Sequence, residues 1–413
     1  MGEKTNNKNS YQSPIPITRP FFDKKEEQAV AEVLESGWVA QGPSAAEFEK
    51  QFARFTGAEH AVALSSGTAA LHLALLAAGI GPGDEVIVPS FTFIATANAV
   101  EYAGARPRFV DIDQRTYNID TAAVRQILTQ SNAVERKVKA IIPVSLFGLC
   151  VDMDEINNLA AEFDLVVVED AACALGAKRG DKHAGTEALA ASFSFHPRKS
   201  ITTGEGGMVI TDDKAMADLI KELRNHGASA SDYGRHQEEG GSLLPNFDRQ
   251  GFNYRLTDIQ AAIGIEQMKK ADAIIADQKR AAAIYDEMLK DNANFITPFI
   301  PAGYFHAYQS YVCLYKFDPR KKADSEIDWD KIEIWNRERN RLMARMESQG
   351  ISVRQGTHAV HTLGFYRNKY KLIDHDCPQS FIADRLSIAL PLYYGITESQ
   401  QRRVVDIMIG EVM

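Results

Sequence analysis

The sequence predicts an α/β fold, a largely parallel sheet between helices followed by a smaller α+β region, and three observations predict it. Between residues 61 and 224, short runs rich in Val and Ile alternate with helical patterns, the order in which parallel strands and their crossover helices arise. The 413 residues are enough for two or three cores of ordinary size. Beyond residue 275 the alternation gives way to an isolated β-like run, a charged helix and a terminal helix.

Taken in order, residues 14–20 read as extended chain and 24–36 as a helix with Val30, Val33 and Leu34 on one face. The Gly- and Pro-bounded stretch 37–43 is a turn. An apolar run at 61–64 leads to a helix over 69–78, a strand at 85–88, a helix within 92–102 and a strand at 108–110. Helix 121–130, strand 138–143, helix 152–162 and strand 165–168 follow. Two further β runs, 192–195 and 208–211, precede a helix over 214–224. Residues 228–249 carry Gly, Ser and charge without an apolar period, which makes them a long loop of the kind that is usually functional or mobile. Thr257 and Asp258 then cap a helical pattern running toward Leu289, interrupted mildly by Gly264 and long enough to bridge two domains. A β-like run at 311–317, a charged helix around 328–349 and a helix from Thr397 complete the chain.

Composition narrows the function. With 45% apolar and 24% charged residues the chain is an ordinary globular protein. Its 46 basic against 55 acidic residues leave a net charge of −9, which argues against nucleic acid as the partner but not against a phosphorylated small molecule. Cys150, Cys173, Cys313 and Cys377 form no metal-binding spacing, so reduced thiols and no metal are expected. No apolar stretch suits a signal sequence or a membrane span, and a cytoplasmic location without membrane attachment is the expectation.

Four segments carry chemistry. Ser192-Phe193-Ser194-Phe195-His196-Pro197-Arg198-Lys199, followed by Thr202-Thr203-Gly204-Glu205-Gly206-Gly207, sets a lysine before a glycine-rich turn. Alone this fits a surface lysine equally well. Ser65-Ser66-Gly67-Thr68 stands between an apolar run and a helix, where backbone N–H groups receive a phosphate, or simply cap the helix. Val166-Val167-Val168-Glu169-Asp170 places acids at the end of a buried strand, where open α/β sheets bind ligands and where a carboxylate could pair with a pyridinium nitrogen or cap the next loop. Phe93, in Pro89-Ser90-Phe91-Thr92-Phe93, could stack on a flat ring or belong to the core.

The order and spacing of these segments, together with 79–93 and Gly251-Phe252-Asn253-Tyr254-Arg255-Leu256-Thr257-Asp258, resemble the DegT/StrS family of sugar aminotransferases from about Ile15 to the C-terminus. That family belongs to fold type I of the pyridoxal 5'-phosphate (PLP) enzymes. The resemblance implies a large PLP-binding domain over 14–275 with a mostly parallel seven-stranded sheet, its N-terminal segment packing on a small α+β domain over 276–413; residues 1–13, largely polar, read as a flexible tail. It implies that Lys199 joins PLP covalently and moves the proton, that Asp170 pairs with the pyridinium nitrogen, and that Phe93 stacks on the ring. Gly67, Thr68, Ala69 and Ser194 would hold the phosphate. Asn253 would reach the phosphate of a neighbouring subunit, making a homodimer with shared sites. The family usually has Gln or His three residues after the Asp, to contact the ring hydroxyl, whereas this chain has Cys173, a weaker hydrogen-bond partner. Relatives with His in place of the lysine are dehydratases, and Lys199 argues against that branch.

For substrate contacts the resemblance points to Trp38, Gln41, Tyr311, His358 and His361, each of which could equally pack or cap. The loop 228–249 and the insertion at 319–339 could shape the nucleotide end. The implied reaction moves an amino group from L-glutamate, through pyridoxamine 5'-phosphate, to a nucleotide-linked keto sugar in aminosugar biosynthesis for surface polysaccharide or a glycosylated metabolite. Alternatives are a free keto-cyclitol or keto sugar acid as acceptor, a PLP-binding regulator or scaffold, and a fold type I decarboxylase or desulfurase.

Overall fold

The computed structural model describes residues 13–130, 137–229, 244–319 and 327–410. Most of the expected tail, the centre of the 228–249 loop and part of the 319–339 insertion lie outside these residues.

Among the described residues, seven strands form the main sheet: β1 (His60–Leu64), β2 (Glu85–Pro89), β3 (Arg106–Val110), β4 (Val138–Ile141), β5 (Val166–Asp170), β6 (Ala190–Ser194) and β7 (Gly207–Thr211). Their spatial order is β1-β7-β6-β5-β4-β2-β3, and only β7 runs against its neighbours. Strands covered on both faces need apolar side chains on both, which is why Val166-Val167-Val168 reads as an unbroken run. On one face lies the helix Gly67–Ala77, whose residues 69–75 are all buried. On the other, Phe48 and Phe52 of the helix Pro43–Thr56 interlock with Phe193 and Phe195 at centroid distances of 5.1 to 5.5 Å. Pro43 opens this helix, for which the sequence pattern carries no clear signal, and the Asp258 carboxylate accepts from the N–H groups of Gly42, Ser44 and Ala45 in place of a local cap.

One other expectation is revised. The pattern from Thr257 to Leu289 is two helices, Asp258–Met268 and Ala271–Leu289, broken at Lys269 and Lys270 rather than weakened at Gly264. Gly264 is a contact point: a Cβ there would lie 2.7 Å from the Phe48 ring. The helix expected within 92–102 spans Ala95–Tyr102, its start set by the pairing of Phe91 and Thr92 with Ala359 and His358.

Ala271–Leu289 links two cores. Its first turns pack among Phe195, Ile201 and Met208, and its last turns, through Ala281, Ala282, Tyr285 and Leu289, join a separate cluster with Met346, Ile388 and Val404. That second cluster lines the antiparallel sheet β8 (Phe295–Ile296), β9 (Tyr311–Tyr315) and β10 (Ser387–Leu390). Ile15 bridges Ile351 beside it, so the N-terminal segment packs on the C-terminal region. No helix among the described residues is long and apolar enough to cross a membrane.

Candidate active site

The C-terminal ends of the parallel strands carry the candidate residues, as sheet topology requires. Asp170, at the end of β5, is 6% exposed. Its Oδ2 accepts from Thr96 Oγ1 at 2.7 Å and its Oδ1 from the Ala172 N–H at 3.1 Å. Burial pushes this carboxyl above its ordinary value, while the Thr96 hydroxyl, the Ala172 N–H and the nearby Lys199 charge pull it back toward ionisation. Glu169 points to the opposite face, where its carboxylate accepts from Ser145 Oγ at 2.6 Å and from the Gly185 N–H at 2.8 Å. Burial raises it to about 7, against the pull of those two donors. Since Ser145 N–H also donates to the Asp170 carbonyl at 3.0 Å, Glu169 braces the turn on which Asp170 rests.

Lys199 lies on the turn after β6, closed by its N–H donating to the His196 carbonyl at 2.8 Å. Its Nζ donates to Cys173 Sγ at 3.0 Å. Both line a small cavity with Ala172, Ser194 and Gln309, and Lys199 is the only amine among the lining residues. Gln309 secures the turn from outside, its Nε2 donating to the Arg198 carbonyl at 2.6 Å.

Beside this cavity the helix Gly67–Ala77 presents its N-terminus. Gly67 faces Ser194 so closely that a Cβ on it would lie 2.9 Å from Ser194 Cβ, and a Cβ on Gly207 would lie 2.3 Å from the Ser66 carbonyl. Side chains at either position would fill this cradle. Ser66 caps the helix by accepting from the Ala69 N–H at 3.1 Å, which leaves the Gly67 and Thr68 N–H groups without a helical partner. The Phe93 ring is 57% exposed at the start of the next helix. Asn253 is exposed, in a segment held to this loop by Ser65 N–H donating to the Tyr254 carbonyl at 2.8 Å.

The substrate candidates separate. His358 is exposed and pairs with Thr92, one residue from Phe93. Trp38 and Gln41 sit together on the turn before Pro43, with Trp38 Nε1 donating to the Gln41 carbonyl at 3.1 Å, and neither lines the Lys199 cavity. Two expectations are corrected. Tyr311 is wholly buried, its hydroxyl donating to Asp286 Oδ1 at 2.6 Å and its ring 5.0 Å from that of Tyr285, so it is a core residue. His361 is also wholly buried, with Nδ1 2.5 Å from Ser90 Oγ and Nε2 3.0 Å from the Asp374 carbonyl; it joins the 360–376 segment to β2 and has no face for a substrate. Tyr311→Phe is expected to cost about 1 to 3 kcal/mol of stability by removing a donor from the half-buried Asp286 carboxyl, with kcat within about twofold of wild type. Unfolding and steady-state assays on the one variant check this; a kinetic loss at unchanged stability would return Tyr311 to the site.

The sequence model of the DegT/DnrJ/EryC1/StrS aminotransferase family matches residues 20–409. The chain belongs to that family. It is 36% identical over 397 residues to the GDP-perosamine synthase of Caulobacter vibrioides, covering 95% of this chain and 96% of that protein. Identity is 35% over 392 residues to the spore coat polysaccharide biosynthesis protein SpsC of Bacillus subtilis, 95% of each chain. Among solved structures, Helicobacter pylori PseC, an aminotransferase involved in the biosynthesis of pseudoaminic acid, superposes with a TM-score of 0.84 at 26% identity over 97% of this chain and 100% of its own. Aminotransferases of the DegT/DnrJ/EryC1/StrS family are PLP-dependent, so this chain is a PLP-dependent sugar aminotransferase of fold type I. The residues present fit that cofactor: one amine on the cavity wall, a buried carboxylate that needs a cation nearby, and a helix N-terminus left clear by Gly67 and Gly207.

Proposed function

We propose that the protein transfers the amino group of L-glutamate to the keto group of a nucleotide-linked deoxysugar, making an aminosugar for a surface polysaccharide or another glycan. The observation that carries the reading is the cavity in which Lys199, Cys173 and Ser194 meet, with Asp170 within reach of the Lys199 charge. The bound cofactor supplies an electron sink for the pair of electrons left when the amino-bearing carbon loses its proton. Lys199 Nζ would carry that proton from the donor carbon to the cofactor, and in the second half-reaction would carry one from the cofactor to the acceptor carbon, a task that suits an amine on a short, braced turn. Asp170 fixes the positive charge at the ring nitrogen, and Phe93 covers the ring face. The N–H groups of Gly67 and Thr68 and the Ser194 hydroxyl bind the phosphate, with Ala69 behind them. Cys173, whose thiol accepts from Lys199 Nζ, would orient the amine.

The relative named for a GDP-linked product supports a nucleotide on the acceptor. Exposed Asn253, held against the phosphate-binding loop, is free to enter a neighbouring copy, which supports a homodimer with shared sites. His358 is the residue best placed to meet the sugar.

The test is an absorbance spectrum of the PLP-loaded protein, repeated after L-glutamate and then after GDP-, UDP- and dTDP-linked keto sugars and free keto sugars. Loss of the long-wavelength band with glutamate, and its return with one nucleotide-linked sugar, is the expected result. Return only with a free sugar would overturn the nucleotide assignment, and no response to glutamate would overturn the donor.

A further inference from the structure

Two buried hydroxyls stand between the His358 strand and Asp170. Thr96, on the helix Ala95–Tyr102, is wholly enclosed, and its Oγ1 donates to Asp170 Oδ2 at 2.7 Å. Thr92, one turn earlier, is 1% exposed and has its Oγ1 2.9 Å from Thr96 Oγ1. A hydroxyl has one proton to give. With that of Thr96 directed at the carboxylate, Thr92 must be the donor of the second bond. The chain of bonds therefore has one direction, from Thr92 to Thr96 to Asp170, and each link polarises the next in favour of the anion. Its far end is anchored as well: Thr92 pairs with His358 through the backbone, and the next N–H, that of Ala359, donates to Asp384 Oδ1 at 3.0 Å.

We propose that Thr92 and Thr96 are a positioning relay, which orients Asp170 toward the ring nitrogen of the cofactor and couples it to the strand that carries His358. The proposal rests on the PLP reading above. Neither threonine touches cofactor or substrate; both act through Asp170. The relay also explains why helix and strand divide at Phe93: Thr92 must stay extended to pair with His358, while Thr96 must be helical to place its hydroxyl over β5.

Thr96→Val keeps the shape and removes the donor, and Thr96→Ser keeps the donor and removes the methyl. In the PLP-loaded protein, Thr96→Val is expected to raise the PLP dissociation constant about tenfold and slow the glutamate half-reaction by a similar factor, with glutamate KM within about threefold of wild type. The pH midpoint of the bound cofactor's absorbance should move up by roughly half a pH unit, because a less firmly protonated ring repels a second proton less. Thr96→Ser should restore all of these to within about threefold, and Thr92→Val should move them in the same direction by about threefold. An unchanged dissociation constant and midpoint in Thr96→Val would overturn the relay, as would Thr96→Ser being as impaired as Thr96→Val, since packing would then be the cause. If circular dichroism shows Thr96→Val to be unfolded, Thr92→Val decides alone, and an unchanged midpoint there overturns the proposal. A wild-type protein with no PLP absorbance would instead sink the cofactor reading itself, a result distinct from all of these.

Discussion

Lys199→Ala is expected to lower turnover by roughly 10⁵-fold or more while leaving the fold unchanged. The size follows from two tasks resting on one atom. Nζ of Lys199 is the only amine among the residues lining the cavity, so on the proposed reading the substitution would remove both the covalent anchor for the cofactor and the base that moves the proton, with no neighbour placed to substitute. The stability effect should be below about 1 kcal/mol, because the side chain is half-buried and its one hydrogen bond is to a thiol, a weak acceptor. Single-turnover assays with L-glutamate, paired with a thermal melt of the same preparation, check both halves. A variant retaining more than about a hundredth of wild-type turnover would place the reacting amine elsewhere.

The second large effect is expected at Asp170. Asp170→Asn should reduce turnover by about a thousandfold, equivalent to about 4 kcal/mol at 1.4 kcal/mol per tenfold, with a much smaller change in glutamate KM. An amide can still accept from the Ala172 N–H, so the strand end should keep its geometry. What it cannot do is hold a positive charge at the ring nitrogen in a buried setting, and the electron sink weakens accordingly. The same burial that raises Asp170 would make the proposed interaction strong, since few waters compete for it. Presteady-state rates for the glutamate half-reaction measure the effect, and a loss below about tenfold would mean that the ring nitrogen does not depend on this carboxylate.

Much of this arrangement was legible in the sequence, for physical reasons. Buried parallel strands demand Val and Ile runs, so β2 and β5 stand out, and the acids ending β5 stand out against them. A lysine before a glycine-rich turn and a Ser-Ser-Gly-Thr cap are local patterns, and the fold brings both to the same end of the sheet. Partners distant in sequence were not legible. Thr92 and Thr96 show helical spacing, but nothing nearby in sequence reveals that Asp170, 74 residues on, receives the second hydroxyl. Gln309 and Glu169 were missed as braces because each acts on a backbone group or a hydroxyl that carries no residue signature. The same blindness sent Tyr311 and His361 to the substrate. Aromatic and imidazole side chains look alike in sequence whether they face a ligand or, as here, bury against Asp286 and Ser90. The start of the helix at Ala95 was hidden for a related reason, since the strand partner of Thr92, His358, lies more than 260 residues away.

The central claim, that Lys199 is the amine that takes the cofactor, is tested most directly by loading the protein with PLP, reducing it with borohydride and mapping the labelled peptide by mass spectrometry. The reduced cofactor is expected on Lys199 and on no other lysine. A label on a different lysine, or no label in a protein that has bound PLP, would contradict it.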